Sequence, residues 1–396
     1  MEQLVFRGRV FDGEQTVDDG IVVVDPDSGR VVDSGRRRDV AEPKSARVFA
    51  HEGATVLPGM IDAHLHFFGS STYSLAEWVT VPEAMTALRA VRDMRKLLWA
   101  GFTAVRDLGS KAGTYISQAE RENVIEGPRV FASSKSLAQT GGDDDLTILP
   151  LEISQRLSYS YYCDGPWECR RAVRLCLRDG AEVIKVYASG SFAQGTKPRV
   201  QLTVEELKAI VDEAHRVGVK VGAHAYGEIA LSNVIEAGVD SIEHGIGLTA
   251  ELADAAKKKG IYYVPTLSAF YAAKPSANAE RDALIKRHLT DDMRLAKEHG
   301  LKIACGSDFV GSETEPHGQN YREVVNLARS FGAGTALAAA TKVGAELLGL
   351  EGGGMLRKGS RADLVMASGD PLQRPEVLAP ENILCVVKGG KIYRSP

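Results

Sequence analysis

The sequence predicts an α/β fold: a (β/α)8 TIM barrel carrying a small β-sandwich domain formed by both chain ends. Three observations predict it. Both ends of the chain are short β-runs cut by turn residues. The middle alternates strand-like runs with helical stretches, and it is long enough for eight such units.

The N-terminal runs are Leu4-Val-Phe-Arg-Gly-Arg-Val-Phe, ended by Asp12-Gly13, and Ile21-Val-Val-Val, ended by Asp25-Pro-Asp-Ser-Gly. The C-terminal runs are Ala362-Asp-Leu-Val-Met, Ile383-Leu-Cys-Val-Val and Lys391-Ile-Tyr, the last two split by Gly389-Gly390. The expected division is therefore residues 1–57 plus 356–396 for the β-sandwich and 58–355 for the barrel. Within 58–355 and its approach, eight strands are expected at 55–66, 102–108, 129–136, 183–189, 220–226, 241–244, 262–267 and 302–308. Helices separate them. Thr203-Val-Glu-Glu206 is a capping box, followed by apolar Val204, Leu207, Ile210, Val211 and Ala214 and closed by Gly218. After Pro82, Met85, Leu88, Val91, Met94 and Leu98 recur at helical spacing until Gly101. Loops 140–166, 269–279 and 310–319 exceed what a connection needs and read as lids or binding loops.

Composition narrows the class. The 396 residues carry 48 Lys+Arg and 52 Asp+Glu, a net charge of −4, with 44% hydrophobic and 25% charged residues. That mix excludes disordered, collagen-like and coiled-coil chains. A pI near 6.2 argues against a nucleic-acid partner. No run reaches the ~18 apolar residues of a membrane span. Five cysteines without a CxxC pair, and no secretory leader pattern, lead to the expectation of a cytoplasmic protein with no membrane partner.

In a barrel of this kind the reactive groups end the strands. His64 and His66, two apart on the first strand, point to one side and can share a metal; two satisfied core histidines are the plain alternative. Lys185 shares a strand face with Val183 and Tyr187. A buried ammonium needs a partner or a lowered pKa. It reads either as paired with a barrel carboxylate or as a reactive amine, able to take up carbon dioxide as a carbamate whose oxygens bridge two cations. His224 and His244 end adjacent strands beside glycines, and Asp308 ends the eighth, where a carboxylate can be ligand and general base at once.

With these residues in place the chain resembles the amidohydrolase superfamily, its imidazolonepropionase and prolidase-like branch in particular. The resemblance spans nearly the whole chain. It rests on Leu57-Pro-Gly-Met-Ile-Asp-Ala-His-Leu-His, the strand-four lysine, the two later histidines, Gly306-Ser-Asp and Gly354-Met-Leu-Arg-Lys-Gly-Ser-Arg-Ala-Asp-Leu-Val. It implies two divalent metal ions, most often zinc, and hydrolysis of a C–N bond in a small amide-type molecule. The more buried ion would be held by His64, His66, N6-carboxylated Lys185 and Asp308, the second by Lys185, His224 and His244, with a bridging hydroxide as nucleophile. Asp308 would relay its proton to the leaving amine, and Tyr226, two residues after His224, could hydrogen-bond the developing oxyanion. Homo-oligomers are common in the family.

Dipeptidases of this branch commonly read Gly-Gly-His-Gly-Asp after strand three. Here the run is Gly141-Gly142-Asp143-Asp144-Asp145. It reads either as a solvated acidic turn or as a pocket favouring neutral or cationic amides, ureas and carbamates, while Lys197 and Arg199 offer charge to a carboxylate. A lactone or phosphotriester hydrolase, a deaminase or a non-catalytic relative are the alternatives. Glu228 lies four residues after His224, not at a deaminase's His-x-x-Glu spacing, and all six ligands are retained. His51, His215, His288 and His299 read as solvated or partnerless, His317 as a possible substrate contact and Cys305 as core.

Overall fold

The computed structural model describes residues 2–192 and 198–395. The N-terminal strands are β1 (Gln3–Phe11), β2 (Thr16–Asp25), β3 (Arg30–Arg36) and β4 (Ala46–Pro58). The middle adds β5 (Met60–Leu65), β6 (Phe102–Asp107), β7 (Arg129–Ala132), β8 (Ser136–Ala138), β9 (Ser160–Tyr162) and β10 (Val183–Tyr187). It continues with β11 (Lys220–Tyr226), β12 (Ser241–Ile246), β13 (Tyr262–Val264) and β14 (Lys302–Ile303). The C-terminal end supplies β15 (Leu364–Ser368), β16 (Ile383–Lys388) and β17 (Lys391–Arg394).

Hydrogen bonding joins the strands of both chain ends in one seven-stranded sheet, ordered β17-β16-β15-β4-β1-β2-β3, where the sequence predicts a two-sheet sandwich. The cause is β4, 13 residues long. It pairs in parallel with β1 on one edge and antiparallel with β15 on the other, so the two termini meet edge to edge. Phe6, Val22, Val24, Val56, Leu364 and Val387 bury in a common cluster on this sheet.

The middle strands are all parallel and form two sheets, β5-β6-β7 and β14-β13-β12-β11-β10-β8-β9. The predicted barrel is not closed as a continuous ladder. One backbone hydrogen bond crosses the first gap, Glu182 N–H to the Ala132 carbonyl (2.9 Å), and three cross the second: Ala63 N–H to the Cys305 carbonyl (2.7 Å), Asp308 N–H to the His64 carbonyl (2.7 Å) and His66 N–H to the Phe309 carbonyl (2.9 Å). Left-handed backbone lies close to both breaks. The expected strand 129–136 divides at Ser134, which has a φ of +61°, and the eighth strand shortens to two residues before Asp308, with a φ of +59°. Such values lie in the left-handed region, outside regular strand geometry.

Local signals behave as their chemistry demands. Thr203 caps the helix Val204–His215, its hydroxyl accepting from Glu206 N–H while Glu206 accepts from Thr203 N–H (2.8 Å). In the helix Glu83–Trp99, Met94, Leu97 and Leu98 are buried, but Met85, Leu88 and Val91 are exposed. The buried stripe runs through Thr86, Ala90 and Asp93 instead, one position round from the apolar spacing. Among the described residues no helix is long and apolar enough to cross a membrane.

Gly306 sets how closely the eighth strand approaches β5. A Cβ there would lie 2.5 Å from Val264 Cγ1 and 2.7 Å from His64 Cβ. Gly306→Ala is therefore expected to lower unfolding stability by about 1–3 kcal/mol, through overpacking against two buried side chains. A urea midpoint equal to that of the unaltered protein would contradict this.

Candidate active site

Six polar side chains converge where the middle strands end. His66, Lys185, His224, Tyr226, His244 and Asp308 line one cavity, with His64 fully buried at its base. His64 Nε2 lies 3.3 Å and His66 Nε2 3.2 Å from Asp308 Oδ1. One ligand atom from each of these three residues falls within 4.8 Å of the others, a spacing that one cation can occupy. The His244 ring lies 5.0 Å from His64 and 4.6 Å from His224, centroid to centroid.

Each ring is oriented by its other nitrogen. His64 Nδ1 meets Glu243 Oε2 at 2.8 Å, His66 Nδ1 the Gly109 carbonyl at 3.1 Å, and His244 Nδ1 the Thr266 hydroxyl at 2.7 Å. His224 contacts the Gly190 carbonyl through Nε2 (3.3 Å), which leaves Nδ1 for a ligand. Partners of this kind fix the tautomer and aim the remaining lone pair. His64 Nε2 is the telling atom: it is fully buried and, among the described residues, has no hydrogen-bond partner. A buried polar atom left open in a cluster of nitrogen and carboxylate donors fits a divalent cation.

The charge states agree. Burial, then the Lys185 charge, pushes His64 down to about 4 and His224 to about 3, and burial lowers His244 as well. All three are neutral at pH 7, the form a cation requires. For Asp308 burial works upward, but His64 and His66 outweigh it and hold the carboxyl below its ordinary value. Lys185 is 1% exposed, and burial lowers its pKa. Among the described residues its ammonium has no ion pair or hydrogen bond; the Tyr187 ring, 5.0 Å away, is its close neighbour. Of the two sequence alternatives for Lys185, the geometry matches the desolvated amine and not the carboxylate-paired ammonium.

Two buried charges behind the site escaped sequence reasoning. Arg106 donates to Glu243 Oε1 (2.7 Å) and to the Ser241 hydroxyl (3.0 Å), and Glu243 in turn holds His64. Burial raises Glu243, yet Arg106 and His64 overcome this and set it at about 2. The signal was available: like Lys185, each is a charge inside an apolar strand. Asp62 accepts from Ser307 and Asn320 and so ties β5 to the eighth strand.

Other expectations are corrected. Asp143, Asp144 and Asp145 are buried, not a solvated turn. Asp143 lines the cavity and accepts from the Ser191 N–H (2.7 Å) and hydroxyl (2.9 Å); Asp144 accepts from Tyr159 (2.7 Å) and Asp145 from Ser154 (2.6 Å). His317 sits behind the site, its Nε2 on the His66 carbonyl (3.0 Å). His288 is buried against the Pro265 carbonyl (2.9 Å). His215 is exposed and Cys305 buried, as expected. Arg199 is exposed, and Lys197 lies outside the described residues. Tyr226 packs on His224, with centroids 4.3 Å apart.

The strand ends thus bring histidines, a carboxylate and a buried amine into one cluster with the donor set of a metal site. Residues 55–393 match the model of the amidohydrolase family, and the chain belongs to that family. It is 32% identical to ochratoxinase of Aspergillus niger over 371 residues, 87% of this chain and 77% of the relative. The crystal structure of A. niger ochratoxinase superposes with a TM-score of 0.91 at 28% identity, covering 100% of this chain and 96% of that one. A prolidase complexed with N-methylphosphonate-L-proline superposes at 0.89 with 31% identity, both chains fully covered.

Asp143 gives a pH test. Burial and the neighbouring Asp144 raise its carboxyl to about 7, against 3.8 ordinarily. The folded state then binds the proton more tightly than the unfolded state, so stability falls as pH rises from 3.8 and levels off above 7. In metal-free protein, Asp143→Asn should match the unaltered chain at pH 4 and exceed it at pH 8 by roughly 1–3 kcal/mol. A difference independent of pH, measured by urea unfolding, would contradict this.

Proposed function

We propose that this chain is a metal-dependent hydrolase that cleaves a C–N bond in an amide, dipeptide-like molecule, urea or carbamate. The observation that carries the reading is the open, buried Nε2 of His64, 3.3 Å from Asp308 and flanked by His66. We read the two parallel sheets as the staves of a (β/α)8 barrel within residues 58–355, with the site at its mouth.

In this reading His64, His66, Lys185 and Asp308 hold one divalent cation and Lys185, His224 and His244 a second, zinc being the first candidate. Bound there, the cations supply an acidified water as nucleophile and polarise the scissile carbonyl. Lys185 would be carboxylated: burial lowers its pKa and so favours the neutral amine, whose Nζ lone pair adds to carbon dioxide and sheds a proton, giving a carbamate with one negative charge shared between two oxygens. Asp308, an ionised carboxylate, accepts the proton of the attacking water and returns it to the leaving nitrogen. Tyr226, whose phenol burial keeps protonated, donates to the developing oxyanion. Near pH 7 the Asp143 carboxyl is partly neutral, which weakens the repulsion that three ionised aspartates would exert on a substrate carboxylate.

Amine release by metal-loaded protein tests the reading, comparing N-acyl amino acids and Xaa-Pro dipeptides with neutral aryl amides, phenylureas and carbamates. Turnover of at least one set is expected, and Lys185→Ala should abolish it and leave one bound ion or none. Full activity of Lys185→Ala with two ions would overturn the two-metal scheme.

A further inference from the structure

A second chamber, of about 380 Å3, opens beside the cluster. It shares Tyr73, Ser191, Tyr226 and Asp308 with the cavity that holds the histidines, so a molecule reacting at Asp308 has room to extend into it. Its volume is in the range of small-molecule sites. The walls are Phe192, Tyr226, Phe270 and Ile285. Ring centroids of Phe192 and Phe270 lie 5.1 and 6.3 Å from that of Tyr226, an array of aromatic faces and edges that suits another aromatic ring.

Besides Asp308, three charged residues line the chamber: Lys274, which is exposed to solvent, Arg281 and Glu315. Arg281 is already partnered, donating to the Lys274 carbonyl (3.1 Å) and to Asp282 (2.8 Å). Glu315 is different. It lines the chamber at 4% exposure, and among the described residues its Oε2 has no hydrogen-bond partner. Burial, reinforced by the Asp308 charge, pushes this carboxyl up to about 9, so at neutral pH it is an acid with a proton to donate. An unpaired polar group costs free energy that a ligand acceptor would recover, whereas a plain hydrocarbon ring would leave it unpaired.

Resting on the amide-hydrolase reading above, we propose that this chamber is the subsite for an aromatic ring bearing a hydrogen-bond acceptor, with Glu315 as the specificity-determining residue that donates to it. The substrate is then an amide whose aryl group carries a ring nitrogen, carbonyl or comparable acceptor.

Binding of inert aryl acids to the metal-loaded protein at pH 7 tests this by calorimetry. The probes are acetate, 2-naphthoate and its four isosteres, quinoline- and isoquinoline-6- and -7-carboxylate, which place nitrogen at each position of the distal ring. The best aza-isostere should bind about tenfold tighter than 2-naphthoate, and both tighter than acetate. Glu315→Leu should reverse the aza-over-naphthyl preference, while Glu315→Gln, which keeps an N–H donor, should retain it. Ile285→Trp, which fills the chamber from another wall, should bring the aryl acids down to the affinity of acetate without changing acetate binding. Equal or stronger binding of 2-naphthoate to the unaltered protein, or an unchanged ratio in Glu315→Leu, would overturn the role of Glu315. Undiminished aryl binding in Ile285→Trp would overturn the subsite. These rankings need no turnover, so a failure of amine release would count against the hydrolase reading alone.

Discussion

Glu243 is fully buried and serves two partners at once, the Arg106 guanidinium on one oxygen and the His64 imidazole on the other. Burying either charge alone would cost several kcal/mol. Paired, they form a rigid link between β6, β12 and β5 beneath the cavity. The link fixes which nitrogen of His64 is occupied, so Nε2 is left to face Asp308. The rest of the candidate site is built outward from that atom. Asp62 locks the eighth strand to β5, and this sets where Asp308 stands relative to the two histidines.

Strain gathers at the same place. Among the described residues, five non-glycine positions have positive φ, and His244, Asp308 and Thr266 are three of them. His244 and Asp308 line the cavity, and Thr266 holds the His244 ring. Left-handed backbone at non-glycine residues costs of order 1–3 kcal/mol each and persists only where surrounding contacts enforce it. Here it turns two side chains off their strands into the cavity. The Asp308 N–H still donates to the His64 carbonyl (2.7 Å), so the turn re-aims the side chain while its backbone stays tied to β5.

Much of this was legible in the amino-acid sequence because a charge or imidazole inside an apolar strand is conspicuous. His64, His66, Lys185, His224, His244 and Asp308 each stand out in that way, and the structure brings them to one cavity. Arg106 and Glu243 carry the same mark but act only as a pair. Nothing local says that the second and sixth middle strands face each other. The three aspartates at 143–145 misled because an acidic, glycine-flanked run is ordinarily solvated. Their burial depends on hydroxyl and amide donors from Tyr159, Ser154 and Ser191, distant along the chain. Glu315 was illegible for a related reason: it lies in a loop with no periodicity, and its burial comes from tertiary packing that local sequence does not encode. The terminal strands were recognisable singly, but the edge-to-edge role of β4 is a pairing that strand composition does not encode.

The central claim is that six strand-end side chains hold two divalent cations through a modified lysine. Anomalous diffraction at the zinc edge from zinc-loaded crystals grown in bicarbonate tests it most directly. The account predicts two anomalous peaks, one among His64, His66 and Asp308 and one at His224 and His244, with carbamate density on Lys185 Nζ between them. A single peak beside an unmodified Lys185 would contradict it.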